Sequence, residues 1–145
     1  MKHRAYIDIE TTGLSRYYCE ITIIGIALEK LLKTLKGVDE IYSYNGSRFD
    51  LPFIKAQLDI DLKDYFIHTD LMYDCWKQNL KGGLKAVEQK LNINRNTKGI
   101  DGFMAVKLWW DYINNNNRQS LKTLLEYNAE DIINLQTLRL KLNVE

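Results

Sequence analysis

The sequence lacks the features that mark membrane and secreted proteins. Its longest mainly apolar run, Ile21 to Leu28, contains Thr22 and Gly25 and is far shorter than the ~20 residues that cross a bilayer. The first residues pass directly into a strand-like run that ends in acidic residues, so no apolar signal region precedes it. The two cysteines, Cys19 and Cys75, are too few for a disulfide framework and have no partner at metal-ligand spacing. We expect a cytoplasmic protein with no membrane segment.

The sequence also lacks an excess of charge of either sign. Its 145 residues include 20 basic and 19 acidic side chains, for a formal net charge of +1. Proteins that coat nucleic acid by charge alone carry a basic excess, so a polyanion would have to be bound at a local site. With 46% hydrophobic residues, the chain suits one compact core, and we expect a single domain over residues 1–145.

The first third of the chain shows the patterns of strands. Residues 4–10 alternate apolar and polar side chains, which predicts a half-buried strand, and the apolar run 21–28 predicts a fully buried one. Residues 13–20 would connect the two as a hairpin loop. The leucines of segment 28–35 share one helical face and predict a short helix. Segment 41–44 is β-prone and precedes a turn signal.

The remaining pattern is mostly helical. Asp50 lies just before Pro52 and is expected at a strand-to-helix junction, and residues 66–69 predict one more strand. Helical apolar spacing recurs from Leu84 to Leu91, from Met104 to Ile113 and from Ile132 to Leu142, and the asparagines at 114–117 are a polar break between helices. This order predicts an α/β fold with a mixed sheet, because the opening hairpin must be antiparallel.

Two acidic residues, Asp8 and Glu10, lie two positions apart on the first predicted strand. Their carboxylates therefore project from the same face of the sheet. Neighbouring carboxylates repel each other, whereas one or two divalent cations convert the pair into a binding site. Acidic pairs also occur at strand ends for solubility, so the pair alone leaves both interpretations open.

Three segments resemble the motifs of the DEDD, or DnaQ-like, 3′-5′ exonuclease superfamily. Residues 8–14, Asp-Ile-Glu-Thr-Thr-Gly-Leu, are similar to the first motif, and residues 45–50 resemble its Asn-x3-Phe-Asp pattern. Tyr127 and Asp131 match Tyr-x3-Asp, with both side chains on one face of a helix. The tyrosine is typical of the DEDDy branch. The resemblance covers residues 4–142 and is closest to the YprB-like, ribonuclease H-like exonuclease domains.

This resemblance implies a ribonuclease H-like fold, a mixed β-sheet flanked by helices. Only residues 29–40 separate the second strand from the strand before Asn45, so we expect a shortened sheet. The resemblance also implies that Asp8, Glu10, Asp50 and Asp131 hold two divalent metal ions, Mg²⁺ or Mn²⁺. Two such ions stabilise the attacking and leaving oxygens of a phosphoryl displacement.

The activity that the resemblance implies is release of nucleoside 5′-monophosphates from 3′ ends of single-stranded or frayed DNA or RNA. Tyr127 would orient the attacking water. Thr11 would meet the 3′ hydroxyl and Leu14 would be a wedge against the terminal bases, although a core leucine fits equally. Asn45 belongs to the substrate-binding candidates, and so does Phe49, which would stack on a base or anchor the core.

A basic segment is the candidate phosphate track. Lys81 and Lys85 flank two glycines that open a helix, where unpaired backbone N–H groups can meet a phosphate. The alternative is an ordinary solvated helix face. Against Glu88 alone, the segment contains Lys77, Lys81, Lys85, Lys90, Arg95 and Lys98.

Several other residues are expected to have structural roles. Trp109 and Trp110 are predicted to pack in the core. Asp70 suits a helix cap better than a second acidic site, and Glu130 should face solvent, since it points about 100° away from Asp131 around the helix.

Three functions remain open from the sequence. The first is the metal-dependent 3′-5′ exonuclease. The second is a non-catalytic nucleic-acid-binding module that retains the fold, which the small size and shortened sheet favour. The third is a structure-selective endonuclease with the same metal site. No pattern distinguishes DNA from RNA or indicates an oligomeric state.

Overall fold

The computed structural model describes residues 3–25 and 35–145, and its strands form two small sheets. The first sheet is parallel, with the strand order β1, β4, β5, and the second is an antiparallel pair of β2 and β3. The predicted α/β fold is confirmed, and the expected antiparallel hairpin is present as a separate pair beside the parallel sheet rather than as part of one mixed sheet. The strands are β1 (Arg4–Tyr6), β2 (Ile9–Thr11), β3 (Ile21–Ile24), β4 (Glu40–Ser43) and β5 (Ile67–Asp70).

The single strand predicted over residues 4–10 is wrong, because two segments, β1 and β2, take its place. The Ile7 backbone N–H donates to the Tyr42 carbonyl at 2.9 Å, toward β4, whereas the Asp8 carbonyl accepts from the Gly25 N–H at 3.1 Å, beside β3. The backbone therefore changes pairing partner between these two residues. This crossing links the parallel sheet to the antiparallel pair.

The second predicted strand is confirmed only over Ile21–Ile24. Its first two residues, Ile21 and Thr22, are only half-buried, so the expected full burial is wrong there. The physical reason is that β3 pairs with β2 alone among the described strands. Residues 26–28 of this prediction, and residues 28–34 of the predicted short helix, lie outside the described residues. Between β3 and β4 the structure describes only Gly25 and residues 35–39, so the shortened sheet stays a prediction.

The helices follow the predicted order. The asparagine break is confirmed, since Asn116 ends one helix in the left-handed conformation and the Asn117 side chain caps the next by accepting from the Ser120 N–H. The α-helices are α1 (Asp50–Leu58), α2 (Leu71–Lys77), α3 (Leu84–Lys90), α4 (Gly102–Asn115) and α5 (Arg118–Leu142), with a 3₁₀ turn at Leu62–Asp64.

Helices cover both faces of the parallel sheet because side chains alternate along its strands. In β4, Ile41 packs with residues of α1, whereas its neighbour Tyr42 packs with residues of α2, α3 and α5. A third cluster joins Ile23 of β3 to Ala105 of α4 and Leu124 of α5. Within the described residues, no helix has the length and apolar character to span a bilayer.

Candidate active site at the junction of the sheets

Three carboxylates from the two ends of the chain meet where the sheets join. Asp8 lies at the crossing between β1 and β2, Glu10 lies in β2, and Asp131 lies on the inner face of α5. One oxygen from each carboxylate lies within 4.8 Å of the other two. The chain crossing at Asp8, strand β2 and helix α5 thus direct three acidic groups to one point.

Asp50 reaches the same place from a different element. It is the first residue of α1, as predicted, and lines the cavity of about 430 Å³ that Asp8, Glu10 and Asp131 also line. Its Oδ1 accepts a hydrogen bond from the Ile9 backbone N–H at 3.0 Å. Asp50 is therefore in the cavity wall, but it is outside the group of three whose oxygens lie within 4.8 Å.

The loop before α1 is held in place by a carboxylate that is not part of the cluster. Asp70 accepts hydrogen bonds from the backbone N–H groups of Asn45 at 2.8 Å and Ser47 at 3.0 Å, and it caps α2 through Met72 at 3.2 Å. Asn45 itself has a positive φ of 63°. The predicted cap role of Asp70 is confirmed, and the cap also fixes the turn that leads to Asp50.

Burial and mutual repulsion raise the pKa values of these acidic groups. Burial raises the pKa of Glu10 to about 8, with the nearby Asp131 charge adding to the effect. Burial also raises the pKa of Asp50 to about 7, although the hydrogen bond from Ile9 opposes it. The pKa of Asp8 is raised strongly by burial and then by the charges of Asp50 and Asp131. Such a site favours protons or metal cations.

Tyr127 lies one helical turn before Asp131 and lines the cavity. Its Oη accepts a hydrogen bond from the Lys85 Nζ at 2.5 Å, and the same ammonium lies 4.4 Å from the centre of the ring. Burial, followed by the neighbouring carboxylates, raises the pKa of the phenol. Tyr127 therefore stays protonated at neutral pH, with Lys85 bound to its oxygen.

Asn128 is a site residue that the sequence analysis missed. Its buried amide donates to the Asp8 Oδ2 at 2.8 Å and approaches the Glu10 Oε1 at 3.5 Å. The signal was available, because Asn128 and Asp131 are three apart on one helical face. The amide links α5 to the crossing strand.

The environment of Arg95 does not fit the predicted phosphate track. Its side chain is only 10% exposed, and its guanidinium donates to Glu88 through Nε at 2.9 Å and through Nη2 at 2.7 Å. The same Nη2 donates to the Asp131 Oδ1. Arg95 is thus paired with buried acids and cannot offer a free charge to a phosphate in this structure.

Glu130 contradicts the prediction that it faces solvent. Its carboxylate accepts from the backbone N–H groups of Asn96 at 2.5 Å and Thr97 at 2.9 Å, and from the Thr97 hydroxyl. The loop that follows α3 folds over this face of α5 and covers it. No local pattern in the sequence gives this packing.

Among the other basic residues of the segment, Lys85 is half-buried against Tyr127, whereas Lys77, Lys81, Lys90 and Lys98 are exposed. Lys77 pairs with Asp74 at 2.8 Å, and the Lys90 Nζ donates to the Lys81 carbonyl at 2.7 Å. Helix α3 begins after Gly83, as expected, although Lys81 is not among the residues that line the acidic cavity.

The candidate substrate-binding residues near the first two motifs line the acidic cavity, namely Thr11, Leu14, Asn45 and Phe49. Leu14 is 88% exposed, so the alternative of a core leucine is wrong. Phe49 packs on Phe53 with ring centres 5.2 Å apart while lining the cavity. The core and cavity roles of Phe49 therefore coexist.

Of the two tryptophans predicted to pack, only Trp109 does. It lies against the cluster that contains Ile23 and Leu124, whereas Trp110 is 44% exposed. Residues 109 and 110 differ by about 100° around α4, so one can face the core while its neighbour faces water.

The chemistry of the acidic cavity fits divalent metal ions. The three closely spaced donors are all carboxylate oxygens, which Mg²⁺ and Mn²⁺ prefer. Their raised pKa values show that the cluster is unfavourable when fully ionised and without a cation. Tyr127 adds a protonated hydroxyl at the wall of the same cavity.

Comparisons with known proteins agree with this description. A segment of 56 residues, 39% of this chain, is 39% identical to a DNA polymerase of Methanocaldococcus jannaschii, and it spans only 3% of that protein's length. No solved structure matches the chain. The family model of the RNase H superfamily matches residues 26–143, which include Asp50, Tyr127 and Asp131. The chain therefore belongs to the RNase H superfamily.

Proposed function

We propose that this chain is a metal-dependent 3′-5′ exonuclease of the DEDDy branch, related to the YprB-like domains. It would hydrolyse single-stranded or frayed DNA or RNA to nucleoside 5′-monophosphates. The observation that carries the proposal is the meeting of Asp8, Glu10 and Asp131 within 4.8 Å in a cavity that Tyr127 also lines. Membership of the RNase H superfamily supports a nucleic-acid-hydrolysing enzyme.

In this proposal Asp8, Glu10, Asp50 and Asp131 hold two ions of Mg²⁺ or Mn²⁺. Bound ions would supply Lewis-acid stabilisation of the attacking and leaving oxygens. Asn128 supports the arrangement because its amide fixes one oxygen of Asp8 while leaving the carboxylate charge in place.

Tyr127 has the protonation state that its proposed role requires. Its oxygen already accepts a hydrogen bond from Lys85, and burial keeps the hydroxyl protonated. The hydroxyl proton is then left to donate to the oxygen of an attacking water. Lys85 acts as a positioning residue that fixes the ring and the hydroxyl direction.

The walls of the cavity suit the end of a nucleic-acid strand. We propose that Thr11, Leu14, Asn45 and Phe49 contact the terminal nucleotide, since all four line the cavity. A role for Lys81, a single domain over residues 1–145 and a cytoplasmic location stay predictions.

The experiment uses single strands of DNA and RNA labelled at the 5′ or the 3′ end, incubated with Mg²⁺, Mn²⁺ or EDTA and resolved by length. We expect stepwise shortening from the 3′ end with either metal and none in EDTA. Asp8→Asn and Asp131→Asn should lower the rate by more than about 100-fold, because each removes a charged metal ligand.

The matched control is Asp64→Asn, which makes the same chemical change at an exposed residue of the 3₁₀ turn. It should cleave as the unaltered chain does. Full activity of Asp8→Asn and Asp131→Asn would contradict the site, and cuts within a circular single strand would indicate an endonuclease instead.

A non-catalytic nucleic-acid-binding module is the second candidate, and the contact of Arg95 with Asp131 favours it. The Arg95 guanidinium already places a positive charge on the carboxylate of Asp131, which is one of the proposed metal ligands. Such a module would bind single strands equally well in EDTA and release no nucleotide with any divalent ion.

A further inference from the structure

A second groove, of about 190 Å³, adjoins the acidic cavity between the loop after β2 and the start of α1. Leu14 and Phe49 line both the groove and the acidic cavity, so the two spaces adjoin each other across these side chains. The groove is lined by Leu14, Ser15, Arg16, Tyr17, Arg48, Phe49 and Phe53, none of which is acidic.

The groove combines exposed aromatic rings with arginines. Tyr17 is 73% exposed, and the Arg16 Cζ lies 5.2 Å from the centre of its ring. Arg48 extends the same pattern on the α1 side, where its Cζ lies 5.6 Å from the ring of Trp76 and 5.8 Å from that of Tyr73. In the part of the chain that the structure describes, neither Arg16 nor Arg48 forms an ion pair with a carboxylate. Aromatic rings beside such arginines suit a ligand with flat bases and anionic phosphates.

The loop that carries Tyr17 is fixed to the fold. The Gln57 side chain of α1 donates to the carbonyls of Arg16 at 3.2 Å and Cys19 at 3.1 Å. The Cys19 backbone N–H in turn donates to the Ser15 carbonyl at 2.8 Å. The ring of Tyr17 is therefore presented to solvent on a held backbone, which lowers the entropy cost of binding.

We propose that this groove binds the single strand of nucleic acid next to the nucleotide that occupies the acidic cavity. Tyr17 stacks on an unpaired base, and Arg16 and Arg48 pair with the adjoining phosphates. The position of the groove beside the acidic cavity, its exposed tyrosine and arginines, and a lining without acidic residues favour this occupant. The proposal rests on the proposed function, because it takes that cavity as the site of the reacting end.

The test measures the affinity of the full chain for a fluorescent single-stranded 12-nucleotide oligomer in EDTA, where nothing is cleaved. Loss of one stacked ring weakens binding by about 5- to 150-fold, so we expect an effect in this range from Tyr17→Ala. Tyr17→Phe keeps the ring and should bind within about twofold of the unaltered chain. Arg48→Gln should weaken binding and reduce its salt dependence, since it removes a phosphate contact.

Tyr65→Ala is the matched control. Tyr65 is 59% exposed and precedes β5, near the N-terminal ends of the parallel strands, whereas Asn45 follows the C-terminal end of β4. Its removal should leave the affinity unchanged. An oligomer with abasic sites at all but its 3′-terminal position should bind Tyr17→Ala and the unaltered chain equally, because no base remains to stack.

The outcomes separate this proposal from the exonuclease. If Tyr17→Ala binds as Tyr65→Ala does, the groove proposal is overturned even when the chain releases nucleotides with Mn²⁺. If Tyr17→Ala binds weakly but the unaltered chain never releases nucleotides, the groove stands and the exonuclease fails. Where both hold, Tyr17→Ala should raise KM and leave kcat unchanged.

Discussion

At the scale of single residues, the central feature is a set of acids that burial makes hard to ionise. Glu10 and Asp131 are buried beside Asp8, and Asn128 is the neutral group that bridges Asp8 and Glu10. Carboxylates in this environment bind protons more tightly than they do in an unfolded chain. The stability of the metal-free protein should therefore depend on pH.

We expect the metal-free chain to lose stability as the pH rises from 5.5 to 8.5. The ordinary pKa of Glu10 is 4.5, and burial in the folded chain raises it to about 8. The pKa of Asp50 rises in the same way from 3.8 to about 7. Between these values the folded state keeps protons that the unfolded state releases, so the free energy of unfolding falls with pH. Urea unfolding in EDTA should show a loss on the order of 2–4 kcal/mol.

Glu10→Gln isolates this effect, because the amide does not titrate. Its free energy of unfolding should fall less steeply with pH than that of the unaltered chain. His68 acts in the opposite direction, since burial lowers its pKa, and it is common to both proteins. Equal slopes for the two would contradict the raised pKa of Glu10.

At the scale of elements, α5 is held to the rest of the site by charge as well as by packing. Arg95, in the loop after α3, connects Glu88 of that helix with Asp131 of α5, and Asn134 donates to the Glu88 Oε1 at 3.0 Å. Burial opposes the charge of Arg95, but the ion pairs with Glu88 and Asp131 outweigh it and raise its pKa. The loop and both helices thus share one buried network.

Arg95→Gln should destabilise the chain by about 3–5 kcal/mol, because it leaves Glu88 and Asp131 buried without their partner. The measurement is chemical unfolding in EDTA at neutral pH. The matched control, Arg118→Gln, makes the same change at an exposed position in the first turn of α5 and should alter stability by less than about 0.5 kcal/mol. Similar stabilities for the two variants would show that the network contributes nothing.

At the scale of the whole molecule, the candidate metal ligands come from both ends of the chain. Asp8 and Asp131 are brought together only when α5 packs on the crossing strand, through contacts such as that of Tyr127 and Leu124 with Ile23. An unfolded chain has no such site, so a metal ion that binds here binds the folded state alone. Metal binding should therefore couple directly to folding.

Mn²⁺ should raise the melting temperature, and above Kd the gain in stability should grow with the logarithm of the Mn²⁺ concentration. At a hundredfold excess over Kd the gain is about 2.7 kcal/mol, and it should be smaller at pH 5.5, where protons compete for the carboxylates. Calorimetry or fluorescence melting measures it. Asp131→Asn should abolish most of the gain and Asp64→Asn should keep it, whereas an equal gain in both would place the ion elsewhere.

Several features were predictable from the sequence because they depend on near neighbours along the chain. The apolar run at 21–28 and the β-prone residues 41–44 predicted β3 and β4, the asparagines at 114–117 predicted the break between α4 and α5, and Asp50 was expected at a strand-to-helix junction. The spacing of Tyr127 and Asp131 predicted their common helical face. Such patterns act over a few residues, where backbone geometry alone decides direction.

Other features were decided only by tertiary structure. Arg95 pairs with Asp131, Glu130 is covered by the loop at Asn96 and Thr97, and Asp50 is bound by the Ile9 backbone. In each case the partners lie more than 30 positions apart along the chain. Local patterns therefore determined which acids could form a site, whereas long-range packing decided which charges and backbone groups surround each acid, because burial and partner choice depend on distances in space.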